Sequence, residues 1–237
     1  MVGRAPIAVA LDAPDLETAA RWAGLVTPHV RALKIGLELY LRYGSEVVAS
    51  VRGASGAQIF LDLKLHDIPA TVASAARAVA GLRPALLTVH AAAGAAAIRA
   101  AAEAVPAARI VAVTVLTSLG ETDLGRMGIA GPVSGAVRRL AALAVEAGAR
   151  GVVCSPQEVA AVRAEVGDDI MLITPGVRPA GSDVNDQTRV ATPEEALRSG
   201  ADLLVIGRPI TSAADPGAAA AAIAASLRRA EGVATGR

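Results

Sequence analysis

Eight short apolar runs, rich in leucine and β-branched residues, recur along the chain from end to end. They cover Ile7–Leu11, Ala32–Ile35, Gln58–Leu63, Leu86–His90, Ile110–Val115, Gly151–Cys154, Met171–Thr174 and Leu203–Ile206. Longer alanine-rich stretches with helical patterning follow them, near 15–26, 37–51, 68–81, 95–104, 134–147, 156–166, 193–199 and 216–229. The runs are nearly continuous in apolar residues rather than alternating, as suits a parallel sheet covered on both faces. Eight strand–helix units in 237 residues predict an α/β fold, a single-domain (β/α)8 barrel of the TIM type spanning residues 1–237. An open doubly wound sheet is the alternative, but such sheets more often use about five or six strands. No linker rich in proline, serine or charge divides the chain.

Composition narrows the function classes. With 23 basic and 22 acidic residues, the chain has no bias toward polyanions. Its aromatic side chains are Trp22, Tyr40, Tyr43 and Phe60, too few to stack a run of bases, so no nucleic-acid partner is expected. A single cysteine, Cys154, precludes an internal disulfide and fits a reducing cytoplasm. The opening MVGRAPIAVALDAPD reaches an acid at Asp12, too soon for a secretory h-region. The apolar stretch Gly217 to Leu227 falls short of the roughly 20 residues of a membrane span. A soluble cytoplasmic protein with no membrane partner is therefore expected.

In an eight-stranded α/β barrel the chemistry sits at the carboxyl ends of the strands. Here those ends carry Asp12 after the first run, Lys34 in the second, and Asp62-Leu63-Lys64-Leu65-His66-Asp67 in and after the third. His90 ends the fourth, Thr117-Ser118 follow the fifth, Pro175-Gly176-Val177-Arg178 follow the seventh, and Gly207-Arg208 follow the eighth. Asp62 and Lys64 are two apart, so a regular strand turns both to one face. Alone, they read more readily as a structural ion pair at a strand end than as a catalytic one. Charges at several strand ends favour an array of Lys34, Asp62, Lys64 and Asp67, in which flanking carboxylates hold each lysine cationic. Lys64 is then a proton donor rather than a Schiff-base nucleophile, which needs a depressed pKa.

TPGVRP and GRPIT follow the last two strands, where barrels often bind phosphate. Each loop pairs glycine, which lets backbone approach a ligand, with an arginine. Arg178 alone could equally be a solvated loop residue. The segment at about 176–192 is long for a strand–helix connection and polar, as expected of a lid that grips phosphate. His29, His66 and His90 lack zinc-site spacing, and no HExxH, CxxC, GxGxxG or Walker pattern is present. No metal site is expected; His90 is expected to satisfy a hydrogen bond near the mouth, and Cys154 to be a small buried hydrophobe.

FLDLKLHDIPATV at 60–72 resembles the signature of the orotidine 5′-phosphate decarboxylase family, with Asp62, Lys64 and Asp67 as its DxKxxD core. VALDAPD, LKIGLELY, VTVLTSL, ITPGVRP and VIGRPIT follow the order of that family, in phrasing similar to its bacterial type one branch. The resemblance implies decarboxylation of orotidine 5′-phosphate to UMP, without metal or organic cofactor, in a homodimer with shared sites. It implies Lys64 as proton donor to carbon 6, Asp62 beside the substrate carboxylate, Lys34 against Asp62 and a ribose hydroxyl, and Asp12 on the ribose. Asp67 and Thr71 are implied to reach the partner's site, with Ile68 between them in the substrate-binding set. Thr117 is implied at the pyrimidine, and Pro175, Arg178, Gln187, Gly207 and Arg208 around the phosphate.

Related readings stay open on the residues alone. A sister enzyme with the same DxKxxD core, such as a hexulose-phosphate synthase, resembles a magnesium enzyme and carries a carboxylate in place of Lys34. Another phosphate-binding barrel, such as an isomerase of amino-acid biosynthesis, has no use for the lysine–carboxylate array. A non-catalytic phosphate-ligand barrel would keep Arg178 and Arg208 without needing Lys64.

Overall fold

The computed structural model describes residues 3–179 and 191–235. Its strands are β1 (Ala5–Ala10), β2 (Val30–Gly36), β3 (Gln58–Leu65), β4 (Leu86–His90), β5 (Arg109–Val113), β6 (Gly151–Val153), β7 (Met171–Thr174) and β8 (Leu203–Ile206). All pair in parallel with their sequence neighbours, and β8 closes on β1, giving a barrel in sequence order. The open-sheet alternative is thereby excluded. The helices are α1 (Leu16–Val26), α2 (Leu37–Tyr43), α3 (Ser45–Ala54), α4 (Pro69–Ala80), α5 (Ala95–Ala104), α6 (Glu121–Arg126), α7 (Val133–Glu146), α8 (Val159–Val166), α9 (Pro193–Arg198), α10 (Arg208–Thr211) and α11 (Pro216–Thr235).

Local chemistry sets the helix starts. The Asp15 carboxylate accepts the Thr18 N–H at 2.7 Å, an N-cap for α1. Thr192 and Glu195 form a reciprocal capping box at α9. The expected helix over 37–51 is two helices, α2 and α3. Gly44 at φ 55 breaks it, a backbone state that glycine adopts without a Cβ penalty. Helices α6 and α10 and a 3₁₀ turn at Ala91–Ala93 were not expected from the sequence; all are short segments in strand–helix connections.

Two apolar layers follow from the period-two alternation of the strands. Ile7, Val9, Leu33, Ile35, Leu61 and Leu87 face outward into a core shared with the helices. Ala8, Ala32, Phe60, Leu86, Val111, Ile173 and Leu203 form a smaller inner cluster that plugs the barrel. Two residues further along their strands, on the same face, stand Lys34, Asp62 and Thr88. The barrel interior therefore turns from apolar to charged toward its carboxyl-terminal mouth. Phe60 is the largest fully buried side chain and floors the mouth; Phe60→Ala is expected to cost about 3–5 kcal/mol.

The expected lid, about 176–192, lies mostly outside the described residues, and Gln187 lies wholly outside them. Its two ends are tied together: the Arg178 N–H donates to the Ala191 carbonyl at 3.0 Å, and the Ala191 N–H donates to the Gly176 carbonyl at 3.4 Å.

Candidate active site

A cavity of about 310 Å³ opens at the carboxyl end of the barrel. Asp12, Lys34, Asp62 and Lys64 line it from β1 to β3, Thr117 from the segment after β5, and Pro175, Arg178, Gly207 and Arg208 from the segments after β7 and β8. Residues far apart in sequence meet because each closes its own strand at the same end.

The charges are organised around Asp62. Its Oδ2 lies 2.8 Å from Lys64 Nζ and 3.3 Å from Lys34 Nζ. Lys34 Nζ is also 3.8 Å from Asp12 Oδ1. Lys34 and Asp62 are buried, and Asp12 is exposed at the rim. Burial alone would raise the Asp62 pKa, but the two ammonium groups overcome it and hold the carboxyl below its ordinary value of 3.8. Asp62 is thus a carboxylate carrying the counter-charge for two cations.

Asp67 does not join this array within its own chain. It is exposed after β3, and its Oδ1 accepts the Ile68 N–H at 2.6 Å. Ile68 is 67% exposed and Thr71 is exposed at the start of α4, so this segment faces away from its own cavity.

The backbone under Lys64 departs from the regular strand expected of an i, i+2 pair. Pairing with β4 runs from Leu61↔Leu87 directly to Leu65↔Val89, so β3 carries two extra residues here. Lys64 itself has φ 48, a left-handed state that costs a non-glycine residue about 1–3 kcal/mol. The bulge, rather than simple alternation, brings the ammonium onto Asp62. The N–H of Lys64, lost to the ladder, donates to Thr88 Oγ1 at 2.7 Å, and the Thr88 hydroxyl donates to Asp62 Oδ1 at 3.2 Å.

Gly36 is a second residue whose role emerges only in the fold. A Cβ there would stand 3.1 Å from Lys34 Nζ and 3.4 Å from Asp12 Oδ1. Its missing side chain is the room in which those two charges meet.

Arg178 is buried, which removes the reading of a solvated loop arginine. Arg208 is exposed at the first position of α10, after Gly207. Cys154 is buried in the cavity wall. His90, half-buried at the end of β4, packs its ring against His66 with centroids 5.2 Å apart. Burial holds the His90 pKa below 6.5; His66 and Lys64 push the same way, and Asp62 opposes them. Among the described residues no three His, Cys, Asp or Glu side chains gather as a metal site.

A cationic cavity with a buried lysine–carboxylate cluster on one set of strands and two arginines on another fits a small anionic ligand carrying a phosphate. The model of the orotidine 5′-phosphate decarboxylase / HUMPS family matches residues 5–223. A protein of Thermobifida fusca named orotidine 5′-phosphate decarboxylase is 72% identical over 225 residues, 95% of this chain and 97% of its own. A protein of the same name from Frankia casuarinae is 60% identical, over 95% of this chain and 88% of its own. The crystal structure of orotidine 5′-phosphate decarboxylase from Lactobacillus acidophilus superposes with a TM-score of 0.82 at 36% identity, covering 94% of this chain and 99% of that one.

Proposed function

The chain belongs to the orotidine 5′-phosphate decarboxylase / HUMPS family, and from that premise we propose a cofactor-free decarboxylation driven by the charge cluster on β2 and β3. It is a carboxy-lyase of pyrimidine biosynthesis that turns orotidine 5′-phosphate into UMP and carbon dioxide, the last step of de novo UMP synthesis. The bond from carbon 6 of the pyrimidine to its carboxylate breaks, and the electron pair stays on carbon 6. A proton from the Lys64 ammonium then completes UMP.

One observation carries this reading: Lys64 Nζ lies 2.8 Å from Asp62 Oδ2, in the wall of a cationic cavity of about 310 Å³. No ring atom of the substrate takes up the charge as the carboxylate leaves, so a preorganised cation must meet it. Asp62, beside the departing carboxylate, keeps Lys64 protonated and adds like-charge stress to the bound substrate, the smaller effect of the two. Lys34 holds Asp62 and a ribose hydroxyl, and Asp12 binds the ribose. Lys34 sets an ammonium 3.3 Å from Asp62 where the metal-dependent sister enzyme carries a carboxylate, and a cation there would repel magnesium, which favours this reaction over that one.

Thr117 meets the pyrimidine. Arg178, Arg208, Gly207, Pro175 and Gln187 surround the phosphate, and its binding energy aligns the ring and closes the 176–192 loop. Among the described residues Asp62 is the carboxylate paired with Lys64, while Asp67, Ile68 and Thr71 face outward. This supports a homodimer in which Asp67 and Thr71 complete the partner's site. No helix among the described residues is long and apolar enough to cross a membrane, and we read the protein as a one-domain cytoplasmic enzyme.

The test is UMP formation from orotidine 5′-phosphate by the purified protein, with and without a chelator. Equal turnover in both arms is the expected result. Turnover abolished by the chelator, or no UMP at all, rejects the cofactor-free reading.

A further inference from the structure

A proton donor on a bulged strand needs something to hold the bulge. We infer that Thr88 is a positioning residue for this reaction: its hydroxyl locks the Lys64 backbone and the Asp62 carboxylate into one geometry. The inference deepens the decarboxylase reading and rests on it.

Thr88 is fully buried inside the barrel, in the inward column of β4 between Leu86 and His90. Valine fills inward positions elsewhere in the barrel, Val111 and Val113 on the adjacent β5 and Val205 on β8 across from it, so shape alone does not call for a hydroxyl. A buried hydroxyl is unfavourable unless it is bonded. Both bonds of this one go to the charge cluster: it accepts from Lys64 N at 2.7 Å and donates to Asp62 Oδ1 at 3.2 Å.

The direction of the two bonds is forced. A backbone N–H can only donate, so the threonine oxygen must accept from Lys64. Its single proton is then left for Asp62. Oδ1 of the carboxylate is held by that proton, and Oδ2 by the two ammonium groups. Both oxygens of the carboxylate are thereby held, and Lys64 is tied at both ends, backbone and Nζ. Thr88 has no lining position in the cavity. It acts through Lys64 and Asp62, so its removal alters the aim of the proton donor rather than the binding of the phosphate or ribose.

Thr88→Val keeps the shape and removes the hydroxyl; Thr88→Ser keeps the hydroxyl and removes the methyl. The expected result for Thr88→Val is a kcat lower by at least about tenfold, with KM and UMP affinity within about threefold of wild type. Thr88→Ser is expected to recover kcat to within about threefold. A smaller fall in Thr88→Val, a parallel loss of UMP affinity, or a serine variant as impaired as the valine one overturns the assignment. If Thr88→Val does not accumulate folded, Thr88→Ser decides: kcat near wild type supports the role, and a tenfold loss rejects it. The wild type is run alongside; if it forms no UMP, the decarboxylase reading itself fails, a result distinct from any failure of Thr88.

Discussion

Lys64 Nζ stands 2.8 Å from Asp62 Oδ2, and it does so from a residue held at φ 48 in a bulge of β3. The fold accepts a strained backbone at the residue proposed to donate the proton, a pattern expected where geometry serves function. A buried carboxylate shared by two lysines makes the arrangement self-consistent: Asp62 offsets the desolvation of both cations, and both cations keep Asp62 ionised.

Lys64→Ala is expected to lower kcat by more than about a thousandfold, since in the proposed mechanism it removes the cation that meets the developing charge. UMP binding should survive, because the proposed phosphate groups Arg178 and Arg208 are untouched. Single-turnover kinetics and calorimetric titration with UMP check both halves. Turnover within about tenfold of wild type counts against the proton-donor role.

Arg208→Ala should lower kcat/KM by about 10–100-fold, the size of one lost charge-assisted hydrogen bond. Arg208 is exposed at the first position of a short helix, so the melting temperature is expected to stay within a few degrees. Unchanged kcat/KM in a folded variant would remove Arg208 from the phosphate site.

The Asp62 carboxyl is held below its ordinary 3.8 in the folded chain. Its contribution to stability is therefore present above that value and is lost as pH falls through the lowered one. Asp62→Asn leaves Lys64 without its carboxylate partner and Lys34 with only Asp12 at 3.8 Å among the described residues, at a cost of about 3–5 kcal/mol near neutral pH. Chemical denaturation of both proteins should show the gap shrinking only below about pH 4; a gap independent of pH would contradict the coupling.

His90 behaves in the opposite sense. Its pKa lies below 6.5 in the fold, so the unfolded chain takes up a proton that the folded chain refuses. Stability should fall as pH drops below about 6.5, and His90→Gln should flatten that decline. Thermal melts between about pH 7 and 5 measure it; parallel slopes in the two proteins would show that His90 is not the group responsible.

Gly36→Ala puts a methyl 3.1 Å from Lys34 Nζ without straining the backbone, whose φ is −90. The lysine must shift, so kcat/KM is expected to fall by about tenfold or more while the fold holds. Circular dichroism with steady-state kinetics separates the two effects, and wild-type kinetics in the variant would deny Gly36 its spacing role.

All eight strands were legible in the chain because parallel strands buried on both faces read as apolar runs, and the helices between them carry a different period. The strand-end charges were legible for the same reason: once the strands are placed, Asp12, Lys34, Asp62 and Lys64 share one end of the barrel. Gly44 escaped notice because one glycine inside a helical pattern does not announce a positive φ. Thr88 and Gly36 escaped because their importance lies in what stands across from them. Thr88 reads as an ordinary β-former in an apolar run, and Gly36 as a helix boundary.

The sequence by itself determined the barrel and the inventory of charged groups at its mouth, since periodicity and strand-end position are properties of the chain read locally. Only the tertiary structure decided which groups touch: that Asp62 serves both lysines, that Asp67 turns outward, and that Thr88 ties a bulge to a carboxylate. Those outcomes depend on the register between neighbouring strands and on a two-residue bulge. Both are set by packing between segments some 25 residues apart, as Thr88 and Asp62 are, and no local pattern encodes them.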